Sequence, residues 1–528
     1  MRIAVAFDLA GGLGAHLLVR AADVTLARRP GGMALLGRWG AGVAERAGLY
    51  GAVRTAATAR RQVPAYQAAT QGARPWSAAT QAGGLHGYLS ALPVLDKANY
   101  IDVHPLAARC RGGELPERGV EVDESSGSSG RPYQWVRSRA ELDQVEARLA
   151  VQARYLLRSR RHRRVVVLNC FSMGAWATGQ SVTGALRRLG VVKSCGPDLD
   201  KMFAAIDLLG TDVCYVVCGY PPFLDALVAA AAERGVDLSA HELWGFVGGE
   251  GMTEVLRRRL QRSFSHVLSA YGASDLDIGV AGETELTVAV RAAAATDPDF
   301  AQALFGHTGR LPMVFQYDPS TYHVEAVDGE LVVTVTRRLL SPRVRYAVHD
   351  AGGVLRFPDL VAAAARHGIA LPLAGAPRLP MLYVHGRADS TLSHMGANLY
   401  PEDVDAALGT LADRRPDLGI GAFCLAMADY PDGTTGPVVH VEPDGTTGPV
   451  VHVEVADDHG RVDPGLPAMV MAALADWLVL HNRDWAAAAA EDDRALAFHI
   501  APTAPGTGVF EANATRIKRR YILRGDHA

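Results

Sequence analysis

The chain has 528 residues, of which 49% are hydrophobic and 21% charged, and its formal net charge is −3. This length exceeds what one hydrophobic core supports, so two or more domains are expected. The near-neutral charge argues against a broad nucleic-acid-binding surface. No run of 18 apolar residues predicts a membrane-spanning helix.

Six scattered cysteines are typical of a reduced protein, and a cytoplasmic location is therefore expected. The apolar start at 1–8 lacks the charged beginning and cleavage site of an export signal. Cys214 and Cys218 flank an apolar run without a His/Cys partner pair at ligand spacing, which disfavours a zinc site.

Residues 1–75 read as a helical N-terminal extension, rich in alanine and arginine, with a break at Pro30–Gly32. Val63–Tyr66 ends this region, and Leu92–Lys97 follows as a short strand or turn. The next domain is predicted to span residues 76–385.

A Gly/Ser-rich stretch follows Asp123 and Glu124 and ends before Pro132. Its glycines allow positive φ, so backbone N–H groups can form a nest for an anion, and its hydroxyls and arginine add donors and charge. A solvated linker is the alternative, because Gly/Ser runs commonly serve as linkers. The residues are Ser125, Ser126, Gly127, Ser128, Ser129, Gly130 and Arg131.

After this stretch the chain alternates between strands and helices. A helix is predicted at about 138–158, where Ser138 and Glu141 have capping-box spacing. Alternation from residue 165 predicts a parallel sheet, and ligands bind at the carboxyl ends of such strands. The predicted strands are Val165–Asn169, Val191–Val192, Asp212–Cys218, Glu242–Gly248 and 265–270; the predicted helices are 173–189, 198–209, 222–234 and 252–262.

Residues 285–385 carry short strands separated by turns, including a hairpin signal at Asp328–Gly329. They predict an antiparallel sheet that closes the large domain. The strands are Val314–Tyr317, His323–Glu325, Leu331–Val335 and Arg343–Tyr346.

Residues 386–528 are predicted to form a small α+β domain. It contains a tandem duplication at 431–454, in which PDGTTGPVVHVE occurs twice in succession. Two copies do not make a solenoid, so the duplication is interpreted as a lengthened surface hairpin without function, whose strand register is ambiguous.

Four further stretches carry polar or aromatic groups at predicted strand ends. An aromatic residue can stack on a base, hydroxyl and carboxylate groups suit a phosphate and its Mg²⁺, and an aspartate can accept both hydroxyls of a ribose. Each stretch alone also fits an ordinary strand-to-turn connection. The stretches are Trp244–Glu250, Ser269–Asp275, Arg345–Asp350 and His385–Ser390, the last followed by Met395–Glu402.

In their order and spacing, these stretches and the Gly/Ser run resemble the adenylate-forming superfamily of acyl-CoA synthetases. The likeness is greatest to the branch of phenylacetate–CoA ligases and capsule-related (CapK-like) proteins. Val63–Tyr66, Leu92–Lys97 and Gly219–Leu224 also match motifs of that branch. The resemblance covers residues 60–405 well and the C-terminal part weakly.

The resemblance implies an α/β fold with a large N-terminal adenylate-forming domain and a small mobile C-terminal lid domain. The large domain would have layered α/β sheets plus a small antiparallel β sheet. The implied activity is ATP-dependent activation of a carboxylic acid to an acyl-adenylate, with Mg²⁺, followed by transfer to CoA.

The resemblance also implies roles for residues. Ser125–Arg131 would wrap the β- and γ-phosphates. Ser274 would bind phosphate, and Asp275 would hold Mg²⁺. Asp389 would be the hinge. The residues implied to contact the nucleoside part are Gly248, Gly249 and Glu250 around the adenine, Tyr271 stacked on it with Gly272, Asp350 on the ribose, and Arg387 on ribose or phosphate oxygens.

Three positions depart from the family pattern. Arg131 stands where the phosphate loop usually has lysine, and Asp275 stands where the metal-binding acid is usually glutamate. The catalytic lysine of the C-terminal domain is assigned to Lys518, but the match there is loose. A solvated basic strand around Arg516–Arg520 is the competing interpretation.

An acyl pocket is expected at the strand ends, with an apolar wall that suits an aromatic or aliphatic acid. Plain core packing is the alternative for each wall residue. The wall residues are Phe171, Met173, Trp176, Tyr220 and Ala273.

The acceptor stays open at this stage. CoA is the first hypothesis, and a carrier-protein thiol or an amine in a biosynthetic pathway is the second. A non-catalytic nucleotide-binding relative is a third hypothesis, which the intact order of motifs disfavours. The expected partners are a small carboxylic acid and a thiol, with a homodimer as a candidate assembly and neither nucleic acid nor membrane.

Overall fold

The structure is a computed structural model, and two compact units make up the chain. The first unit comprises Met1–Gly249, Ser263–Phe305 and Pro312–His385; the second comprises Glu250–Arg262, Gly306–Leu311 and Gly386–Ala528. The structure describes residues 10–19, 41–73, 76–124, 133–174, 177–306, 311–387, 392–394, 397–426, 450–455, 463–482, 485–486, 489–490, 499–503 and 522–523.

The helices of the described residues are α1 (10–19), α2 (Ala41–Gln62), α3 (Pro64–Ala69), α4 (Trp76–Ser90), α5 (Arg139–Leu156), α6 (Ala177–Leu186), α7 (Leu199–Leu209), α8 (Pro221–Glu233), α9 (Glu254–Leu260), α10 (Glu285–Thr296), α11 (Pro298–Phe305), α12 (Phe357–Arg366), α13 (Pro401–Arg414) and α14 (Leu466–His481). None of these helices is long and apolar enough to cross a membrane.

The strands are β1 (Val120–Glu124), β2 (Gln134–Ser138), β3 (Val165–Asn169), β4 (Val191–Ser194), β5 (Cys214–Gly219), β6 (Glu242–Gly248), β7 (His266–Tyr271), β8 (Ala281–Gly282), β9 (Met313–Tyr317), β10 (Tyr322–Val327), β11 (Glu330–Val335), β12 (Tyr346–Leu355), β13 (Met381–Arg387), β14 (Leu392–His394), β15 (Ala397–Leu399), β16 (Ile420–Ala426), β17 (Val450–Val455), β18 (His499–Thr503) and β19 (Ile522–Leu523).

An eleven-stranded sheet organises the first unit, in the order β10-β11-β12-β13-β9-β8-β7-β6-β5-β3-β4. Strands β4, β3, β5, β6 and β7 pair in parallel with one another in this order, as the alternating sequence predicts. Every residue of β3 and β5 is buried, as expected for parallel strands that are covered on both faces.

The antiparallel part differs from the sequence prediction in one respect. Its strands do not form a separate small sheet, because β8 pairs antiparallel with β7, β9 pairs antiparallel with β8, and the same sheet continues from there. The hairpin between β10 and β11 turns at Asp328 and Gly329, as predicted, and both residues have positive φ.

The prediction of a strand at Arg343–Tyr346 is wrong about where the strand begins. Strand β12 begins only at Tyr346, because Arg345 has a φ of 43°, outside the extended region. Two predicted helices are also shorter than expected: 173–189 is reduced to α6, and 252–262 to α9.

Helix α5 confirms the capping box predicted from sequence. The Ser138 hydroxyl accepts a hydrogen bond from the Glu141 backbone N–H, and the Glu141 carboxylate accepts one from the Ser138 N–H. The helix therefore starts directly at the end of β2.

The second unit has a four-stranded sheet in the order β18-β17-β16-β19, with α13 and α14. Its core is apolar, with Val404, Phe423, Leu425, Leu474 and Trp485 among its buried members. Of the tandem duplication, only Val450–Glu454 is described, as part of β17; the rest of 431–454 lies outside the described residues.

Candidate active site

The loops that follow parallel strands of the first unit meet at one edge of its sheet. Cys170–Met173 follow β3, Tyr220 follows β5, Gly249 follows β6, and Gly272–Asp275 follow β7. The carboxyl ends of neighbouring parallel strands lie side by side. Among the residues that the structure describes, this edge therefore collects most of the first-unit residues that the sequence assigned to a site.

Tyr271 of β7 and Asp350 of β12 contact each other across the sheet at this edge. The Tyr271 hydroxyl donates a hydrogen bond of 2.5 Å to Asp350 Oδ2, across 79 residues of sequence. The Tyr271 ring also faces Phe315 of β9, with 5.8 Å between ring centroids. The predicted base-stacking ring and the predicted ribose-binding carboxylate are therefore neighbours.

Asp350 does not follow a strand end, as the sequence suggested, but lies inside β12. His349, directly before it, has a φ of 59°, and the pairing with β11 shifts its register there. This irregularity interrupts the alternation of side chains along β12, and such bulges commonly redirect a side chain beside a binding site.

The loop after β7 is a closed turn that requires glycine at its start. A Cβ on Gly272 would lie 2.2 Å from the Ile278 carbonyl oxygen, so a side chain there would force the loop open. Ala273 N–H donates to the Asp277 carbonyl at 3.1 Å, which closes the turn. Ser274 and Asp275 are thereby held at its tip.

Asp275 is 5% exposed and is paired with a lysine from a distant part of the chain. Lys97 Nζ lies 3.2 Å from Asp275 Oδ2. The preceding segment is fixed on β12, because Leu95 N–H donates to the Arg345 carbonyl and Ala347 N–H donates to the Leu95 carbonyl. The stretch predicted as a strand or turn thus carries a cation into the site.

Three consecutive carbonyl groups of the loop accept hydrogen bonds from guanidinium groups. Arg137 of β2 donates to the carbonyls of Ser274 at 2.5 Å and Leu276 at 2.8 Å. Arg343 donates to the carbonyl of Asp275 at 2.7 Å. Both arginines are largely buried, so these bonds fix the loop backbone away from water.

Asp277, whose carbonyl closes the turn, carries a buried carboxylate and is 2% exposed. It accepts hydrogen bonds from Arg337 and from the Tyr322 hydroxyl, the latter at 2.9 Å, and Arg137 lies 3.7 Å from its other oxygen. Burial alone raises the pKa of this carboxyl, but Arg337 and Arg137 together hold its pKa below the usual value.

An apolar wall adjoins the loop after β3. The rings of Phe171 and Tyr220 meet edge to face, with centroids 5.2 Å apart, and both residues are at most 9% exposed. Asn169 fixes this loop: its amide donates to the Gly179 carbonyl at 2.7 Å, and its oxygen accepts from Phe171 N–H at 3.2 Å. Met173 is 36% exposed.

The residues present fit a magnesium ion only together with a ligand. Mg²⁺ is commonly held by one or two carboxylates plus substrate phosphates, and Asp275 supplies one carboxylate at the edge. In the described part of the chain, no group of three or more His, Cys, Asp or Glu side chains could hold a metal by itself.

The remaining predicted site residues lie outside the described residues or in the second unit. Ser125–Arg131, Trp176, Asp389 and Lys518 lie outside the described residues, as does the side chain of Arg387 at the end of β13. Gly249 is the last residue of its segment in the first unit, and Glu250, the next residue, is assigned to the second unit. The roles predicted for these residues stay predictions.

Sequence reasoning missed Arg137, Arg337 and Arg343. One signal existed for Arg137: in β2 it follows Trp135 at a spacing of two, so it lies on the face of a buried aromatic residue. An arginine on such a face needs a buried anionic or carbonyl partner. The partner loop, 137 to 139 residues away in sequence, could not be identified from this spacing.

Comparisons with known proteins agree with this architecture. No family model and no curated protein sequence matches the chain. A crystal structure of 2-hydroxyisobutyryl-CoA ligase in the postadenylation state with R3-HIB-AMP matches with a TM-score of 0.64 and 14% identity, over 91% of this chain and 90% of that chain.

The same ligase with 2-HIB-AMP matches with a TM-score of 0.64 and 15% identity, over 91% of this chain and 90% of that one. Its thioesterification state with 2-HIB-AMP and CoA matches with 0.51 and 15% identity, over 91% and 89%. At these identities the likeness establishes the fold alone. The predicted α/β fold of adenylate-forming ligases is confirmed, and the phenylacetate–CoA ligase branch stays a prediction.

Proposed function

We propose that the chain is an ATP-dependent acid ligase. A carboxylate oxygen of the substrate attacks the α-phosphorus of ATP, the bond to the bridging oxygen breaks, and pyrophosphate leaves from the acyl-adenylate. A thiol sulfur then attacks the acyl carbonyl carbon, AMP leaves, and the thiol proton passes to solvent. The proposed acceptor is CoA.

The hydrogen bond between Tyr271 and Asp350 is the observation that carries this proposal. It holds an aromatic face and a carboxylate side by side at the carboxyl edge of a parallel sheet, where nucleotides commonly bind. The Tyr271 ring is suited to stacking on adenine, and Asp350 is suited to accepting hydrogen bonds from ribose hydroxyls. Gly248 and Gly249 let the backbone approach the base closely.

The loop after β7 would handle the phosphates. The backbone carbonyls of Ser274, Asp275 and Leu276 are already bonded to arginines, so the Ser274 hydroxyl and the Asp275 carboxylate are the groups of this turn proposed to act on the phosphates. Mg²⁺, when held by Asp275 and the ATP phosphates, supplies positive charge that offsets the charge developing at the phosphorus. A positioned reaction centre of this kind gains rate mainly from orientation and electrostatics.

The acid is proposed to be small and apolar. Phe171 and Tyr220 present an aromatic wall beside the loop, and Asn169 holds that wall in place. An apolar wall with few polar groups favours aromatic or aliphatic acids over charged ones.

Pyrophosphate release tests the proposal. The chain is incubated with ATP, Mg²⁺ and a panel of aromatic and aliphatic acids, with and without CoA. Acid-dependent release together with CoA consumption is expected. Release without CoA consumption would move the acceptor to a carrier-protein thiol or an amine, and no release with any acid would contradict the ligase proposal.

A matched pair of variants tests the nucleotide site. Asp350→Asn removes a charged acceptor, so the KM for ATP should rise about tenfold, in line with the strength of hydrogen bonds to charged groups. Asp328→Asn changes an exposed carboxylate in the hairpin of the same sheet and should leave this KM unchanged.

A further inference from the structure

Arg137 connects two parts of the first unit that are far apart in sequence. It lies in β2, and its side chain is 11% exposed. Its Nε donates to Asp123 Oδ2 at 2.6 Å, while its two terminal nitrogens donate to the carbonyls of Ser274 and Leu276. Each of its three nitrogens is therefore bonded.

The first of these partners lies on the strand that precedes the predicted phosphate-binding stretch. Asp123 belongs to β1, which pairs antiparallel with β2. The pair between Arg137 and Asp123 therefore ties the two strands to each other by side chains as well as by backbone bonds. The Asp123 side chain is 12% exposed, so water competes little for this hydrogen bond.

The other partners lie in the loop that carries Ser274 and Asp275. Arg137 holds the carbonyls on either side of Asp275, and Arg343 holds the carbonyl of Asp275 itself. A planar guanidinium can hold two carbonyls and a carboxylate at once because its donors have fixed directions, whereas a lysine ammonium offers one compact centre.

The charge of Arg137 is matched locally. Asp123 lies at one end of the side chain and Asp277 lies 3.7 Å from Nη1 at the other, while Arg337 shares Asp277. Since removing one member of such a buried group leaves an uncompensated charge, Arg137 cannot be exchanged for a neutral residue without moving its neighbours.

We propose that Arg137 is a positioning residue of the ligase reaction, which sets the Ser274–Leu276 turn at a fixed place relative to the β1–β2 pair. This inference rests on the proposed function. It assigns Arg137 an effect on the use of ATP and Mg²⁺ rather than on recognition of the acid, because the proposed acid wall of Phe171 and Tyr220 follows β3 and β5 and does not include Arg137.

Steady-state kinetics of Arg137→Gln test the inference. The KM for ATP and the Mg²⁺ concentration for half-maximal rate should each rise at least tenfold, while the KM for the acid stays within twofold. Arg139→Gln is the matched control, because Arg139 lies two residues away but is 47% exposed and makes surface ion pairs. The inference would be overturned if Arg137→Gln folds and has the same KM for ATP and the same Mg²⁺ requirement as Arg139→Gln.

Two further variants keep the test decisive. Arg137→Lys preserves the charge but cannot bond both carbonyls, so relative to Arg137→Gln it should recover thermal stability without recovering the KM for ATP. Full recovery of the wild-type KM would show that the bonds to the Ser274 and Leu276 carbonyls are not needed, and would overturn the inference. Asp123→Asn weakens only the link to β1, because it removes the charge of the acceptor, and should raise the KM for ATP about threefold or more. If Arg137→Gln does not fold, an unchanged constant in Asp123→Asn would overturn the link.

Hydrogen exchange separates this inference from the proposed function. In Arg137→Gln, amides of β1–β2 and amides of 272–278 should exchange faster together than in wild type and in Arg139→Gln. Faster exchange in only one segment, or in neither, would overturn the inference. This readout needs no substrate, so it decides whether Arg137 links the two segments even if wild type releases no pyrophosphate with any acid, a result that would overturn the proposed function alone.

Discussion

Lys97 Nζ lies 3.2 Å from Asp275 Oδ2, and the same ammonium lies 5.5 Å from the centroid of the Tyr133 ring. The Asp275 side chain is only 6% exposed, so Lys97 is its main compensating charge at the sheet edge. An anion and its cation held in this way keep a fixed geometry before any ligand arrives.

Lys97→Gln should lower the rate of acid-dependent pyrophosphate release about tenfold and destabilise the first unit by about 2 kcal/mol, since Asp275 would lose a charged partner that is itself 25% exposed. Pyrophosphate assays and thermal unfolding measure the two effects. Lys201→Gln is the control, because Lys201 pairs with Asp198 at the surface and is 61% exposed. If the two variants have equal rates of pyrophosphate release and equal unfolding temperatures, Lys97 has no role in the site.

Phe171→Ala should change which acids are used. Opening the wall beside Tyr220 should shift the ratio of kcat/KM for a large over a small apolar acid about tenfold toward the large one, because pocket discrimination by apolar groups has this size. Phe203→Ala in α7 removes a comparable buried ring elsewhere in the unit. If both variants leave the ratio unchanged, Phe171 is simply a core residue.

Deletion of one copy of the tandem duplication should leave the second unit folded. The product has the same sequence whichever copy is removed, and it keeps VVHVE for β17. The connection between Ala426 and Val450 shortens from 23 to 11 residues. Halving a loop stabilises by about 0.6 kcal/mol through loop-closure entropy. A markedly lower unfolding temperature would show that the deleted segment packs on the unit.

His323 should make the first unit acid-sensitive. Burial lowers the pKa of this imidazole to about 4, with further contributions from His86 and Arg345. The folded pKa is depressed, so the stabilising effect of a neutral His323 is full above the unfolded pKa near 6.5 and is lost as pH falls toward 4.

His323→Phe should therefore reduce the fall in unfolding free energy over this window, by up to about 1.4 kcal/mol per pH unit. His86→Gln should produce a smaller change of the same sign, since it removes a minor contribution. Denaturant unfolding between pH 7 and 4 measures both. Parallel curves for wild type and His323→Phe would contradict the prediction.

Local signals made part of this fold predictable. The apolar run of β3, the capping box at Ser138 and Glu141, and the Asp328–Gly329 turn each depend on neighbours within a few residues. The alternation of strands and helices predicted that Gly272–Asp275 lie at the carboxyl end of a parallel strand. These features are decided by propensity and periodicity, which a single sequence contains.

Long-range pairing explains the rest. The contact between Tyr271 and Asp350 depends on the pairing of β8, β9 and β13 between β7 and β12. No spacing of residues in the sequence predicts this pairing. The positive φ of Arg345, which delays the start of β12, accompanies bonds from its side chain to the carbonyls of Ser90 and Leu92, 255 and 253 residues away. Such bonds override local strand propensity.

The burial of the arginine bonds around Ser274–Leu276 has a consequence for ionic strength. Dissolved ions screen charges at the surface over about 10 Å at 0.1 M salt, but they screen buried pairs much less. Raising the salt should therefore weaken the encounter with ATP and raise its KM, while kcat stays nearly constant because the turn keeps its shape. Measuring the KM for ATP and kcat of the wild type at increasing salt therefore separates the effect on ATP binding from the effect on the geometry of the turn, without any substitution.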